Sequence, residues 1–189
     1  EDDVIVALPP SAKPPTASVF DKGEHYEITV TGSALIVSVA KSPMLVSFSW
    51  NGVSVVGERA PLTWNSTTTW QTTTAAASDA HFFGGGMQNG RWIHDGTGVT
   101  IGKDFNWADK GHPNSVPWFI SSSPDAAAPA FGVLRCTWRP GQYDFPTPTS
   151  SRLQVGGLAS RSGAIVTAHN ESNRFDAYYA FGANAKALL

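Results

Sequence analysis

The residues best suited to chemistry lie between positions 80 and 118. Asp95, Asp104 and Asp109 supply carboxylates there. Glycoside hydrolysis uses two carboxyl groups about 5–9 Å apart. The stretch lacks the aliphatic strand ends that usually hold such acids rigid, so a self-contained acid pair is not expected. The five histidines, His25, His81, His94, His112 and His169, show no close helical spacing, and Cys136 has no companion thiol. No metal centre and no cofactor are therefore expected. No Gly-x-Ser-x-Gly string marks a nucleophilic serine. No residue of this chain is read as catalytic.

Gly84-Gly85-Gly86 invites a phosphate-loop reading, which needs a following helix with Lys-Ser or Lys-Thr. Met87-Gln88-Asn89-Gly90-Arg91-Trp92 follows instead, with no helix signal. Two readings stay open. The glycines form a tight turn where backbones pack closely, or they let a ligand approach, with Gln88, Asn89 and Arg91 as donors. The aromatic stretch beyond is richer. Trp92, Phe105, Trp107 and Trp118 occur among Asn106, Asp109, His112 and Asn114. Aromatic faces stack on the C–H faces of sugars, and planar amides and carboxylates bind hydroxyls in fixed geometry. The same tryptophans equally suit a sandwich core or a neighbouring domain.

The elements that must position these residues read as strands. His25-Tyr26-Glu27-Ile28-Thr29-Val30 alternates, Gly32-Ser33 turns the chain, and Ala34 to Val39 returns. Ser42-Pro43 turns it again. Met44 to Trp50 is followed by Asn51-Gly52, a strong hairpin signal, and by Val53 to Val56. Thr67 to Thr73, Val116 to Ser121, Phe131 to Trp138, Tyr143 to Phe145, Ala164 to His169 and Phe175 to Phe181 follow, and short strands within 80–118 bring the total to about twelve. Asn184 to Leu189 has the composition of a helix start. The expected architecture is an all-β antiparallel sandwich over residues 20–182, after an extended arm at 1–19 and before a linker at 183–189.

Composition narrows the function. The 189 residues carry a net charge of -2, which argues against a basic nucleic-acid face. No apolar run approaches the roughly 18 residues of a membrane helix. Charged residues are 15%, against about 25% in ordinary soluble domains, while aromatics reach 11% with seven Trp. Such a surface suits contact with sugar or with another domain. Asn65-Ser66-Thr67 and Asn170-Glu171-Ser172 are acceptor triplets for N-glycosylation, pointing to a secreted or extracytoplasmic protein.

Several strings carry a family resemblance. Phe82-Phe83-Gly84-Gly85-Gly86-Met87-Gln88-Asn89-Gly90 resembles the motif before the substrate loop in the N-terminal domain of glycoside hydrolase family 31, in the branch with α-1,4-glucan lyases, α-glycosidases and transglycosylases. His112 to Phe119, Phe131 to Phe145 and His169 to Tyr179 resemble the strands that follow, in the same order. Cys136 stands where such strings usually carry Asn. The resemblance covers residues 80–189; residues 20–79 match only in general strand pattern. It implies a galactose-mutarotase-like β-supersandwich. It also implies that the catalytic nucleophile and acid/base lie on a (β/α)8 barrel, which needs about 250 residues. That barrel is expected as a separate or missing polypeptide. By position, Asn106, Trp107, Asp109 and His112 become expected substrate contacts, while Gln88 and Asn89 are expected to hold the loop or touch sugar. Arg91, Arg174 and Asp176 are expected to form structural pairs at the domain edge.

The resulting expectation is the substrate-loop domain of a retaining enzyme acting on α-glucans or α-glycosides, as hydrolase, transglycosylase or glucan lyase. The chain alone is expected to be inactive. Two alternatives remain: a stand-alone carbohydrate-binding module stacking sugar on Trp92, Trp107 and Trp118, and a non-catalytic structural domain.

Overall fold

The computed structural model describes residues 16–87, 92–102, 114–137, 139–148 and 163–188. Wherever apolar and polar residues alternate between turn signals, strands form. In chain order they are β1 (Ala17–Asp21), β2 (His25–Val30), β3 (Leu35–Lys41), β4 (Met44–Trp50), β5 (Val53–Trp64), β6 (Thr69–Ala75) and β7 (His81–Met87). β8 (Gly98–Ile101), β9 (Asn114–Ser122), β10 (Ala130–Arg135), β11 (Gly141–Asp144), β12 (Ile165–His169) and β13 (Ala177–Gly182) follow. A 3₁₀ turn, Ala185–Leu188, lies where a helix start was expected. The first sheet begins at Ala17, within the stretch read as an arm.

The described strands pair antiparallel in two sheets. One has nine strands in the order β1-β2-β3-β4-β5-β6-β12-β11-β8, and the other has four in the order β13-β10-β9-β7. The fold is the expected all-β antiparallel sandwich. Local chemistry explains the meander. Asn51 and Gly52 both take positive φ, 51° and 76°, which a two-residue hairpin turn requires and which these two residue types tolerate. At the β2–β3 turn the Ser33 N–H donates to the Val30 carbonyl while Gly32 sits at φ 79°.

β5 runs much further than its apolar start, Val53 to Val56, suggests. Gly57 and Pro61 hide the continuation from a pattern search. Irregular register between Glu58 and Ala60, and between Ala60 and Thr63, absorbs the proline without ending the strand. Glu58 contributes its side chain to the ladder: Oε2 accepts from the Val46 N–H at 2.8 Å and Oε1 from Gln71 Nε2 at 3.1 Å.

The core lies between the four-stranded sheet and the β5-β6-β12-β11-β8 part of the larger one. Phe82, Phe119, Phe131, Tyr143 and Phe145 are buried there, and Phe119 meets Phe131, Tyr143 and Phe145 edge-on at centroid distances of 6.3, 5.7 and 5.2 Å. Burial fades towards the other end of the large sheet. Val19, Ile28, Val37, Phe48 and Val56 lie in register across β1 to β5. Val56 is 2% exposed, Phe48 stacks on Tyr179 of β13 at 4.6 Å, Ile28 and Val37 are half-buried, and Val19 is 62% exposed. The four-stranded sheet ends at β13, so an apolar face continues past its cover.

Candidate functional site

The expected substrate contacts Gln88, Asn89, Asn106, Trp107, Asp109 and His112 lie outside the described residues. The frame that carries their two segments is described, and it is tightly built. β7 leads into residues 88–91, and β8 and β9 flank residues 103–113.

The three glycines are part of that frame. They form a strand, β7, and not the tight turn or loop that their composition suggests. Gly84 pairs with Phe119 and Gly86 with Ser115, so β9 advances four residues while β7 advances two. The extra residues on β9 include Pro117, which has no N–H to give a ladder. Gly84, Gly85 and Gly86 have φ of 118°, 74° and 82°, open to glycine and strained for other residues. A Cβ at Gly84 would fall 2.5 Å from the Trp118 carbonyl oxygen and 2.8 Å from the Phe119 Cα. Of the two readings left open, close backbone packing is the one this geometry explains.

Residues 92–97 fold back over β7 through three side chains. His94 is buried; its Nε2–H donates to the Gly84 carbonyl at 2.9 Å, and its backbone N–H donates to the Phe82 carbonyl at 2.9 Å. Asp95 binds His81 Nδ1 through Oδ2 at 2.6 Å, and Oδ1 accepts from the Phe82 N–H at 3.0 Å. Asp95 is thus engaged in positioning the segment. Asp104 and Asp109 lie outside the described residues. Among the described residues no three His, Cys, Asp or Glu side chains gather to hold a metal.

The tryptophans separate. Trp92 is 82% exposed, and Met87, Ile93 and Val116 are exposed as well. Trp118 is half-buried and its indole lies against Gly132 of β10, where a Cβ would collide with the ring. Trp118 is therefore packed into the sheet, and the proposed three-tryptophan platform loses that member. Trp107 lies outside the described residues.

A second polar cluster was missed by the sequence. Arg135 is wholly buried at the end of β10. Its Nη2 lies 3.1 Å from Glu171 Oε1, its Nε donates to the Asp176 carbonyl at 3.2 Å, and its guanidinium carbon sits 4.2 Å from the Phe175 ring centroid. Glu171 Oε2 accepts from Thr137 Oγ1 at 3.0 Å. Burial pulls the Arg135 pKa down, and Tyr143 and Glu171 oppose that shift. Next to it, His169 Nδ1–H donates to the Arg139 carbonyl at 3.0 Å, which leaves Nε2 to accept from the Tyr143 hydroxyl at 3.0 Å. Burial, reinforced by the Arg135 charge, lowers the His169 pKa to about 4, and burial pushes the Tyr143 hydroxyl upward. Both groups stay neutral near pH 7. Cys136 is buried beside them, with its thiol pushed up first by burial and then by Asp176. The one available signal was the arginine itself, a charge in an otherwise apolar strand. Of the expected edge pairs, Arg91 lies outside the described residues. Asp176 offers its backbone carbonyl to Arg135.

No protein-family model and no curated protein sequence matches the chain. Solved structures do. A glycoside hydrolase family 31 dextranase from Flavobacterium johnsoniae, complexed with glucose, aligns over 91% of this chain and 19% of its own, with a TM-score of 0.66 and 16% identity. A cycloalternan-forming enzyme from Listeria monocytogenes, in complex with a pentasaccharide substrate, aligns over 86% of this chain and 15% of its own, with a TM-score of 0.59 and 16% identity. The glucosidase II alpha subunit aligns over 91% and 23%, with a TM-score of 0.60 and 12% identity. At these identities the shared property is the fold. The chain spans less than a quarter of the length of each of these structures.

Proposed function

We propose, taking that shared fold as premise, that this chain is the N-terminal β-sandwich domain of a glycoside hydrolase family 31 enzyme acting on α-glucans or α-glycosides. The observation that carries the reading is the match in extent: about nine-tenths of this chain aligns with under a quarter of enzymes whose names all concern glucose-containing carbohydrates. The strings between Phe82 and Tyr179 that resemble family 31 support it independently.

In this reading the catalytic carboxylates reside on a (β/α)8 barrel in another polypeptide or another part of a longer chain. A glycosyl-enzyme intermediate forms there, and water, a sugar hydroxyl or elimination resolves it. This domain supplies the rim. Asn106, Trp107, Asp109 and His112 contact the sugar from the 103–113 segment, and Gln88 and Asn89 brace it. The braced frame of β7, β9 and residues 92–97 gives such a loop a fixed base, which is what positioning a substrate needs. Met87, Trp92, Ile93 and Val116 are exposed apolar side chains and suit a docked barrel. An extracytoplasmic location fits the two acceptor triplets.

The test is turnover. The 189-residue chain is assayed with p-nitrophenyl α-glucoside, maltooligosaccharides and isomaltooligosaccharides, with product detection for free glucose and for unsaturated sugar. No turnover is expected from the chain alone. Clear turnover of any of these substrates overturns the reading.

A further inference from the structure

The two acceptor triplets lie side by side in the fold. Asn65-Ser66-Thr67 is at the tip of the β5–β6 hairpin, and Asn170-Glu171-Ser172 opens the loop between β12 and β13. Ser172 Oγ donates to the Asn65 carbonyl at 2.6 Å, so the two touch. Their side chains are held differently. Asn65 is exposed, and its Oδ1 accepts from the Thr67 and Thr68 N–H groups, both at 2.8 Å, and from Thr67 Oγ1 at 3.1 Å. With Oδ1 turned onto the backbone, the planar amide directs Nδ2 away from the turn. Nδ2 makes no hydrogen bond among the described residues. These bonds span two and three positions, so this stretch of chain makes its turn without the rest of the fold.

Asn170 is the poorer acceptor. Its side chain lines a cavity together with Arg139 and Arg174, whereas Asn65 is not part of that lining. A sugar on Asn170 would have to enter the cavity, and one on Asn65 projects into solvent. The hydroxyl of its triplet is committed elsewhere, since Ser172 Oγ bonds a residue 107 positions away. Glu171 is held by Arg135 and Thr137.

We propose that Asn65 carries an N-linked glycan that covers the tip of the β5–β6 hairpin. The inference rests on the extracytoplasmic location proposed above and is independent of the α-glucan reading. Asn65 Nδ2 attacks the anomeric carbon of a lipid-diphosphate-linked oligosaccharide. The C–N bond forms, the bond from that carbon to the diphosphate oxygen breaks, the lipid diphosphate leaves, and one Nδ2 proton passes to a base. No electron is transferred. Oδ1 is untouched, so the product keeps all three bonds of the turn. The hairpin gains from such a cover. No Asp, Glu, Lys, Arg or His occurs from Ala60 to Ser78, and no Pro from Leu62 to Ser78. Threonine and tryptophan dominate, which is the composition of a strand that associates with its like. Trp64, next to the acceptor, is 59% exposed. Sequences guard such stretches with a charge; a glycan is a bulky, hydrated substitute.

The experiment has two arms. The protein from its own source is treated with peptide N-glycosidase in heavy-oxygen water and mapped by peptide mass spectrometry, which labels each formerly glycosylated asparagine. The 189-residue chain is also secreted from a eukaryotic host, as parent, Asn65→Gln, Thr67→Ala and Asn170→Gln, and weighed intact. Label at Asn65 is expected in the native protein. The glycan mass at that site is expected to be lost in Asn65→Gln and Thr67→Ala and retained in Asn170→Gln. Trimming with an endoglycosidase, which leaves one sugar and adds no charge, is expected to bring heat-induced light scattering on at a lower temperature; unchanged scattering overturns the covering role. A bare Asn65 in the native protein, or a glycan on Asn170 alone, overturns the site. Bare Asn65 in the native protein with a glycosylated secreted chain places the failure in the extracytoplasmic reading; bare Asn65 in both places it in the acceptor geometry. Neither result touches the domain assignment, which is read from turnover and from association with a barrel.

Discussion

Arg135 Nη2 lies 3.1 Å from Glu171 Oε1, with the arginine wholly buried and the carboxylate nearly so. This pair joins the end of β10 to the loop between β12 and β13. Removing one partner strands the other charge in the interior. Glu171→Ala is expected to lower stability by about 3–5 kcal/mol, read as a shift of the urea midpoint at constant slope. The double change Arg135→Met with Glu171→Leu is expected to cost less than Glu171→Ala alone. Additive losses would mean that the pair is not coupled.

The sandwich is expected to weaken with acid through His169. Its ordinary pKa is 6.5 and burial holds it at about 4 in the fold. Above pH 6.5 the imidazole is neutral folded and unfolded, so its contribution is complete. Between pH 6.5 and 4 the unfolded chain binds a proton that the folded chain refuses, and stability falls by up to about 3 kcal/mol. Below pH 4 the loss levels off. Subtracting the urea-midpoint profile of His169→Gln from that of the parent isolates this slope. A flat difference from pH 7 to 4 would contradict a neutral buried His169.

Gly84→Ala places a Cβ against the β9 backbone at positive φ. It is expected to cost about 1–3 kcal/mol and to disturb the amide signals of β7 and β9. Gly102→Ala, which meets nothing within 4 Å, serves as control and is expected to stay within about 0.5 kcal/mol of the parent. Equal stability of the two variants would mean that β7 and β9 do not approach as closely as described.

These contrasts show what the sequence made legible. The β3–β4–β5 meander was readable because Met44 to Trp50 alternates and Asn51-Gly52 carries a turn with its own mechanism. β7 was not, because glycine has no side chain to alternate and three together read as a loop. The length of β5 was hidden by Gly57, which has no side chain to alternate, and by Pro61, which the strand tolerates where its register slips. Arg135 and Glu171 were missed because a charge is read as surface unless its distant partner is known, and 36 positions separate these two. The six expected contact residues of the candidate site lie outside the described residues.

The apolar row Val19, Ile28, Val37 and Phe48 bears on association. If the uncovered end of the large sheet is covered in the assembled enzyme, Val19→Glu is expected to leave the melting temperature of the isolated chain within about 2–4 °C of the parent, since the site is exposed. The same change is expected to weaken recovery of the barrel polypeptide in pull-downs. Full recovery would place the partner elsewhere on the surface.

Native mass spectrometry of the protein isolated from its own source tests the central claim most directly. The account predicts that this sequence travels with a catalytic (β/α)8 barrel, either on the same polypeptide or as a tightly held second chain. A homogeneous 189-residue monomer with no associated polypeptide would contradict it.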